Sequence, residues 1–227
     1  MKLKVVAIPP NINSIGDSSF QWCSSLVQVS LPTSVTMICS CAFLGCSSLE
    51  RIEIPRFVRL IGRDAFKGCS SQRRIEIPSS VESIGYNAFK DCTLLEHVTL
   101  LTKNIKCNRL STFEKCASLK QITIPSSVTI IHDNAFKGCC TLRVVIPSSV
   151  EKFGRDIFNG VVSLEISGTI KEIPDSMFFN HLDLKEIFLS NSLCLRAIFS
   201  KAFYTCNNLT HITFPSSLKL IYGCAFM

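Results

Sequence analysis

Cysteine and histidine are the residues of this chain that could bind a metal or act as nucleophiles. Thirteen cysteines and four histidines occur among 227 residues. A zinc site needs ligands that converge on one point, as in paired CxxC motifs or Cys/His clusters, and the sequence contains no CxxC. Seven cysteines instead recur at a nearly constant spacing, and such a series does not converge: Cys23, Cys46, Cys69, Cys92, Cys116, Cys139 and Cys206. We expect these thiols to pack as small buried hydrophobic groups.

The other six cysteines fall outside this series and are the candidates for exposure or for disulfide pairing: Cys39, Cys41, Cys107, Cys140, Cys194 and Cys224.

The histidines do not form a catalytic group. His97 and His211 occupy equivalent positions of a repeated unit five units apart, about 25 Å at the spacing of β-strands. His132 replaces a turn glycine and His181 replaces a cysteine of the series. No GxSxG, HExxH, phosphate-loop or EF-hand motif is present. The sequence therefore predicts no enzyme, no cofactor and no metal site.

The repeated unit is visible in the stretch IPSSVESIGYNAFKDC, from Ile77 to Cys92. Close copies are IPRFVRLIGRDAFKGC from Ile54 and IPSSVTIIHDNAFKGC from Ile124. Ten such units, here called cassettes, fill residues 1–227 with a period of about 23 residues, so a single domain is predicted. The slot after the strand is occupied in turn by Pro9, Pro32, Pro55, Pro78, Leu101, Pro125, Pro147, Ser167, Ser190 and Pro215.

Each cassette has three apolar segments. The first alternates apolar and polar residues, as in Leu119–Ile124, which is typical of a half-buried strand. The second places two apolar side chains before a turn residue, and the third is built on Ala-Phe-x-x-Cys. One phenylalanine per cassette recurs in the third segment, and we expect these rings to form a buried spine rather than a ligand groove: Phe20, Phe43, Phe66, Phe89, Phe113, Phe136, Phe158, Phe178, Phe203 and Phe226. A unit of 23 residues cannot enclose a core alone, so cassettes must stack.

The composition argues against several partners. The net charge is +7, but Lys and Arg are spread along the chain among Asp and Glu, which does not favour nucleic-acid binding. No apolar run reaches the ~18 residues of a membrane span. The start, MKLKVVAIPP, lacks the apolar core of a signal peptide, so either the chain is not secreted by that route or a targeting segment is missing from it.

The pattern LxxIxIPxSVxxIGxxAFxxC, nearly intact from Leu119 to Cys139, resembles the BspA-type leucine-rich repeat, and the resemblance covers essentially all of the chain. It implies a right-handed repeat solenoid with a parallel β-sheet on the concave face, mostly strand and loop with little helix. It also implies a relationship to bacterial and protozoan proteins, many of them at the cell surface and associated with adhesion to host proteins.

Two outward positions of each strand vary from cassette to cassette, as a recognition surface requires and as an unconstrained surface would also show. One predicted row is Val5, Gln28, Arg51, Arg74, His97, Gln121, Arg143, Ser163, Glu186 and His211. The other is Ala7, Ser30, Glu53, Glu76, Thr99, Thr123, Val145, Glu165, Phe188 and Thr213. We predict that a protein partner contacts Arg51, Glu53, Arg74, Glu76, His97, Gln121, Arg143 and Phe188, with Phe188 as an exposed aromatic anchor.

The sequence thus favours a protein-binding module that acts in adhesion or in contact with host matrix or surface proteins. The alternative is an intracellular scaffold that docks on an acidic protein assembly, which the missing signal peptide and the many free thiols favour. Reduced or paired cysteines outside the series would distinguish the two, because disulfides persist outside the cell. Neither end has a recognisable polar cap, so we also expect self-association through the ends of the solenoid.

Overall fold

The computed structural model describes residues 2–102 and 112–227, and within these ranges the chain forms nineteen short strands and no helix. Cys107 lies outside the described residues. Ten strands, one per cassette, form the first sheet: β1 (Val5–Ala7), β3 (Gln28–Ser30), β5 (Arg51–Ile52), β7 (Arg74–Ile77), β9 (His97–Leu100), β10 (Gln121–Thr123), β12 (Thr141–Ile146), β14 (Ser163–Gly168), β16 (Glu186–Phe188) and β18 (His211–Thr213). Nine belong to a second layer: β2 (Ser14–Ile15), β4 (Met37–Ile38), β6 (Leu60–Ile61), β8 (Ser83–Ile84), β11 (Ile130–Ile131), β13 (Lys152–Phe153), β15 (Glu172–Ile173), β17 (Ala197–Ile198) and β19 (Leu220–Ile221).

Successive cassettes stack so that each strand pairs in parallel with its equivalent in the next cassette. The first sheet has the orders β1-β3-β5 and β7-β9-β10-β12-β14-β16-β18. The second layer has the orders β2-β4-β6-β8, β11-β13 and β15-β17-β19. The contact between two successive cassettes is called a joint below. This architecture confirms the predicted parallel β-solenoid.

The spine of phenylalanines is confirmed as the centre of the core. Neighbouring rings are stacked with their centroids 4.9 to 6.1 Å apart along the whole series. Eight of the ten rings are fully or almost fully buried, while Phe20 is half-buried and Phe226 is 44% exposed. An aromatic ring buries 150–250 Å², so this series supplies a large part of the apolar surface that the stack removes from water.

The cysteine series is a second column, buried at five of its seven positions and partly buried at Cys23 and Cys206, and its thiols join the cassettes. Cys46 Sγ donates to the carbonyl oxygen of Phe20 at 3.0 Å, and Cys69, Cys92, Cys116, Cys139 and Cys206 repeat this contact with the spine phenylalanine of the preceding cassette at 2.9 to 3.4 Å. Burial raises the pKa of Cys46, Cys92 and Cys139 to about 12, so these thiols stay protonated and unreactive. Among the described residues all cysteines are free.

The turn that carries each spine residue depends on two left-handed residues four positions apart. In the third cassette they are Asp64 and Gly68, with φ of 52° and 73°. The glycine slot before this turn has a separate cause, which is the close approach of the preceding cassette. A Cβ at Gly62 would lie 2.5 Å from the carbonyl carbon of Cys39, and one at Gly85 would lie 2.3 Å from the nitrogen of Arg63. A side chain at Gly62 or Gly85 would therefore collide with the backbone of the preceding cassette, whereas other cassettes carry Cys39, Pro174 or Phe199 in the same slot.

The strand register corrects both predicted rows after the seventh cassette, where Val145 pairs with Ser167 rather than with Glu165. Arg143 pairs with Glu165 rather than with Ser163, and Glu165 pairs with Phe188. Pro147 therefore lies opposite Thr169, so the slot after the strand in the eighth cassette is not Ser167. Counting from the prolines failed here because Phe178 follows Phe158 by only 20 positions, and the strand of this cassette is shifted by two residues.

Candidate protein-interaction surface

The corrected register gathers most of the predicted contact residues in one line across the first sheet. This line, called the outer row, consists of Val5, Gln28, Arg51, Arg74, His97, Gln121, Arg143, Glu165, Phe188 and Thr213. Glu53 and Glu76 lie two residues further along their strands, in a second row that continues through Thr99, Thr123 and Val145. The positions between the rows, such as Ile75, are buried. The alternation of strand side chains thus places all eight predicted residues on the outward face.

Two depressions in this face meet at His97. One has a volume of about 580 Å³ and is lined by Glu53, Arg74, Glu76, His97 and Thr99. The other, of about 690 Å³, is lined by side chains of the next cassettes, namely Glu96, His97, Lys120, Gln121, Cys140 and Arg143. Seven of the eight predicted contact residues are exposed. The third to seventh cassettes therefore present one continuous polar surface.

Part of the charge on this surface is neutralised internally. Glu96 accepts hydrogen bonds from Lys120 at 2.7 Å and from Arg73 at 2.6 Å. The Lys120 ammonium, followed by the Arg73 guanidinium, lowers the pKa of this carboxyl group. Arg143 Nε lies 3.0 Å from the carboxylate of Glu165. Because these groups are already ion-paired with each other, they would gain less from an ion pair with a partner.

The charges of the third and fourth cassettes are different. Within the described residues, no salt bridge involves Arg51, Glu53, Arg74 or Glu76, although all four are exposed. Arg51 and Arg74 hold the same strand position in successive cassettes, as do Glu53 and Glu76. Four exposed charges at this joint are thus available to a partner.

The first sheet is interrupted at the same joint. Strands β5 and β7 belong to different sheets in the described part of the chain, while β6 and β8 remain paired behind them. Gln72 stands in the fourth cassette where the neighbouring cassettes have the buried leucines Leu49 and Leu95. Its Nε2 donates to the carbonyl oxygen of Arg74, and its Oε1 is buried without a partner. Sequence reasoning missed this residue, although the break in the leucine column was a readable signal.

Phe188 differs from the prediction. Its ring is half-buried rather than exposed, because it packs on His211 with centroids 5.4 Å apart at 51°. The aromatic group at this end of the outer row is thus a pair of rings. Among the cysteines outside the series, Cys140 and Cys224 are exposed, whereas Cys39, Cys41 and Cys194 are partly buried.

Other kinds of site are not found in the described ranges. They contain no group of three or more His, Cys, Asp or Glu side chains placed to hold a metal ion. They also contain no helix with the length and apolar character needed to cross a membrane.

Comparison with known proteins identifies the repeat. The sequence profile of the BspA type leucine-rich repeat region matches six copies over residues 1–111 and 109–227. No curated protein matches the chain. A leucine-rich repeat protein from Bacteroides ovatus is similar in structure, with a TM-score of 0.58 and 25% identity over 96% of this chain and 74% of its own.

Two further structures are similar at lower scores. A leucine-rich cell surface protein from Faecalibacterium prausnitzii has a TM-score of 0.44 and 28% identity over 99% of this chain and 70% of its own. The pneumococcal vaccine antigen PcpA has a TM-score of 0.47 and 20% identity over 95% of this chain and 62% of its own. With the profile matched along both halves of the sequence and the stacked parallel strands that it implies, the chain belongs to the BspA-type leucine-rich repeat family.

Proposed function

We propose that this protein-interaction repeat module binds a polypeptide partner on the outward face of its first sheet and acts in adhesion or in contact with host proteins. Family membership supports a repeat module that binds proteins, and such families are typically not enzymes. Repeat solenoids commonly bind through an extended face of this kind. The family resemblance alone supports the adhesive part of the proposal.

One observation carries the proposal, which is the set of exposed charges at Arg51, Glu53, Arg74 and Glu76 that have no ionic partner within the described residues. A partner with complementary charges would supply ion pairs that these four side chains do not make in the described chain. Complementary charges also speed up association and exclude wrong partners. The partner should therefore carry acidic and basic groups close together.

A second contact point lies at the other end of the outer row. Phe188 is five strands from Arg74, or about 24 Å at the spacing of strands in a sheet. Its ring and that of His211 provide apolar surface of the kind found at interface hot spots. Between the two points the outward residues are mostly uncharged or already paired. A partner that spans both points contacts the charged groups with one end and the aromatic pair with the other.

The alternative function is an intracellular scaffold that binds an acidic protein assembly. It is supported by the free state of the described cysteines and by Cys140, which is exposed beside Lys120 and Arg143 on the same face. Alkylation of thiols in material from the native source distinguishes the two functions. Reduced Cys140 and Cys224 favour the scaffold, and oxidised ones favour the surface protein.

The test of the binding face is charge reversal. The protein is used to capture partners from host matrix proteins and from source lysate, and the double variant Arg51→Glu, Arg74→Glu is then compared with wild type by surface plasmon resonance. Affinity should fall at least tenfold without a change in melting temperature. The control is Arg59→Glu, Arg155→Glu, which changes net charge equally at exposed positions outside the first sheet. Equal affinity of wild type and the first variant would exclude this face.

A further inference from the structure

The joint between the seventh and eighth cassettes lacks the backbone bonds that close every other joint on the spine side. Elsewhere the N–H of the spine phenylalanine donates to the next cassette, as Phe136 does to Ile157 at 2.9 Å, and the residue two positions later does the same. In the described chain, no backbone hydrogen bond links residues 150–161 to residues 170–182. The rings of Phe158 and Phe178 are tilted by 20°, whereas the other spine pairs are within 9°.

The opposite side of this joint is held firmly. Strands β12 and β14 pair along six residues, the longest ladder among the described strands, and the outer row crosses it through the ion pair of Arg143 and Glu165. Behind it, β13 and β15 do not pair. One cause is Pro174, which fills the slot where Gly154 donates its N–H to Ile131 at 2.7 Å and which has no N–H to donate. A joint that is fixed on one side and unbonded on the other has the form of a hinge.

His181 occupies the unbonded side. It takes the position of the cysteine column in the eighth cassette, and its ring lies edge-on to Phe178 with centroids 5.6 Å apart. Its Nδ1 lies 3.1 Å from the carbonyl oxygen of Phe179, the group that at other joints receives a backbone N–H from the preceding cassette. Because a carbonyl only accepts, Nδ1 carries the proton. Nε2 is then a buried acceptor with no partner, in a side chain that is 2% exposed.

We propose that His181 makes the joint between the seventh and eighth cassettes an acid-sensitive hinge, closed when the imidazole is neutral and opened when it is protonated. The charged and titratable groups around it come from three cassettes. They are Glu151, Arg155 and Asp156 from the seventh, Asp175 and Asp183 from the eighth, and Lys201 and Cys206 from the ninth. A cleft of about 560 Å³, lined by His181 and by five of these residues, gives the joint room to move.

The direction of the pH effect follows from the burial of the ring. Burial lowers the pKa of His181, against a smaller opposing effect of the carbonyl oxygen of Phe179 and of Asp156 and Asp183. An open joint exposes the ring to water and restores its ordinary affinity for protons. The open form therefore binds more protons than the closed form, and the closed form loses stability as the pH falls below the ordinary histidine pKa of about 6.5. Above that pH the contribution of His181 to closure is fully present.

Hydrogen exchange of the intact protein at pH 7.5 and pH 5.0, corrected for intrinsic rates, tests the hinge. In wild type, exchange of the amides in 156–161 and 175–182 should accelerate at least about threefold at pH 5.0 relative to the amides in 60–92. His181→Cys restores the residue that the other cassettes use and should abolish this difference. His97→Asn removes an exposed histidine and should leave it unchanged. His181→Gln provides the same comparison without depending on how well a thiol packs. Equal protection of wild type at both pH values, or the same acceleration in both His181 variants, would overturn the proposal.

Discussion

Removal of one spine ring is the most direct test of how the solenoid is held together. Phe89 lies in the middle of the series, is 1% exposed, and stacks on Phe66 and Phe113 at 5.3 and 5.7 Å. Its backbone contacts would survive substitution, because its N–H donates to Thr112 and its carbonyl accepts from Cys92 and Cys116. The effect of Phe89→Ala is therefore that of the ring alone.

The loss of stability on Phe89→Ala has two sources, which are the lost burial of the ring and the cavity left between the rings of Phe66 and Phe113. Both neighbouring rings are held in place by the backbone of their own cassettes. Such a site collapses poorly, so Phe89→Ala should lower the free energy of unfolding by about 3–5 kcal/mol. For a chain of this length each kcal/mol corresponds to about 2–4 °C, which gives a melting temperature lower by about 6–20 °C. Urea denaturation followed by circular dichroism measures the first quantity and calorimetry the second.

The matched control is the same substitution at Phe57, which is 50% exposed and whose ring centroid lies 4.8 Å from the Arg56 guanidinium. Phe57→Ala should cost no more than about 1 kcal/mol. Phe226→Ala should fall between the two, since that ring is stacked on one side and 44% exposed. If Phe89→Ala is no more destabilising than Phe57→Ala, the stacked rings do not form the core that we describe.

Two further predictions concern single side chains. Gln72→Leu should raise the free energy of unfolding by about 1–3 kcal/mol in urea titrations, because it restores the leucine column and removes a buried amide oxygen without a partner. The control Gln121→Leu, at an exposed position of β10, should change the free energy of unfolding by less than about 0.5 kcal/mol. An equal gain in the control would refute the explanation. In mass spectrometry after iodoacetamide treatment at pH 8, Cys140 should be labelled in the native protein and Cys92 only after unfolding, because Cys140 is exposed while burial raises the pKa of Cys92 to about 12. Native labelling of Cys92 at the rate of Cys140 would contradict the buried column.

The period of the sequence was enough to predict the solenoid and its spine. Every cassette packs in the same way, so the position of Phe66 holds a phenylalanine ten times in the sequence. One irregular cassette therefore does not obscure the pattern. The outward face was predicted for the same reason, because strand alternation fixes which side Arg74 and Glu76 must occupy. The buried role of the cysteine column followed from its straight spacing.

The joints were harder to predict, because each depends on how two copies meet rather than on what one copy contains. The pairing of Arg143 with Glu165 follows from backbone register, and counting residues from the nearest proline gives the wrong partner. The half-burial of Phe188 depends on His211 in the next cassette. The breaks in the leucine and cysteine columns point to Gln72 and His181 in the sequence. Only the stacked cassettes show that each of these side chains has a buried acceptor without a hydrogen-bond partner.

Two irregular joints in the described part of the chain also have a mechanical consequence. One lacks first-sheet pairing between β5 and β7, and the other lacks all backbone bonds on its spine side, so the described stack is weakened at these two places, which lie on opposite faces. When the ends of the chain are pulled apart, tension should separate three blocks of cassettes at these places before it extracts strands from within any block. Each block then lengthens by at most about 3.3–3.6 Å per residue released. A solenoid divided in this way should unfold in stages under force. In the first stage the blocks separate, and most of the stacked phenylalanine rings stay together within each block.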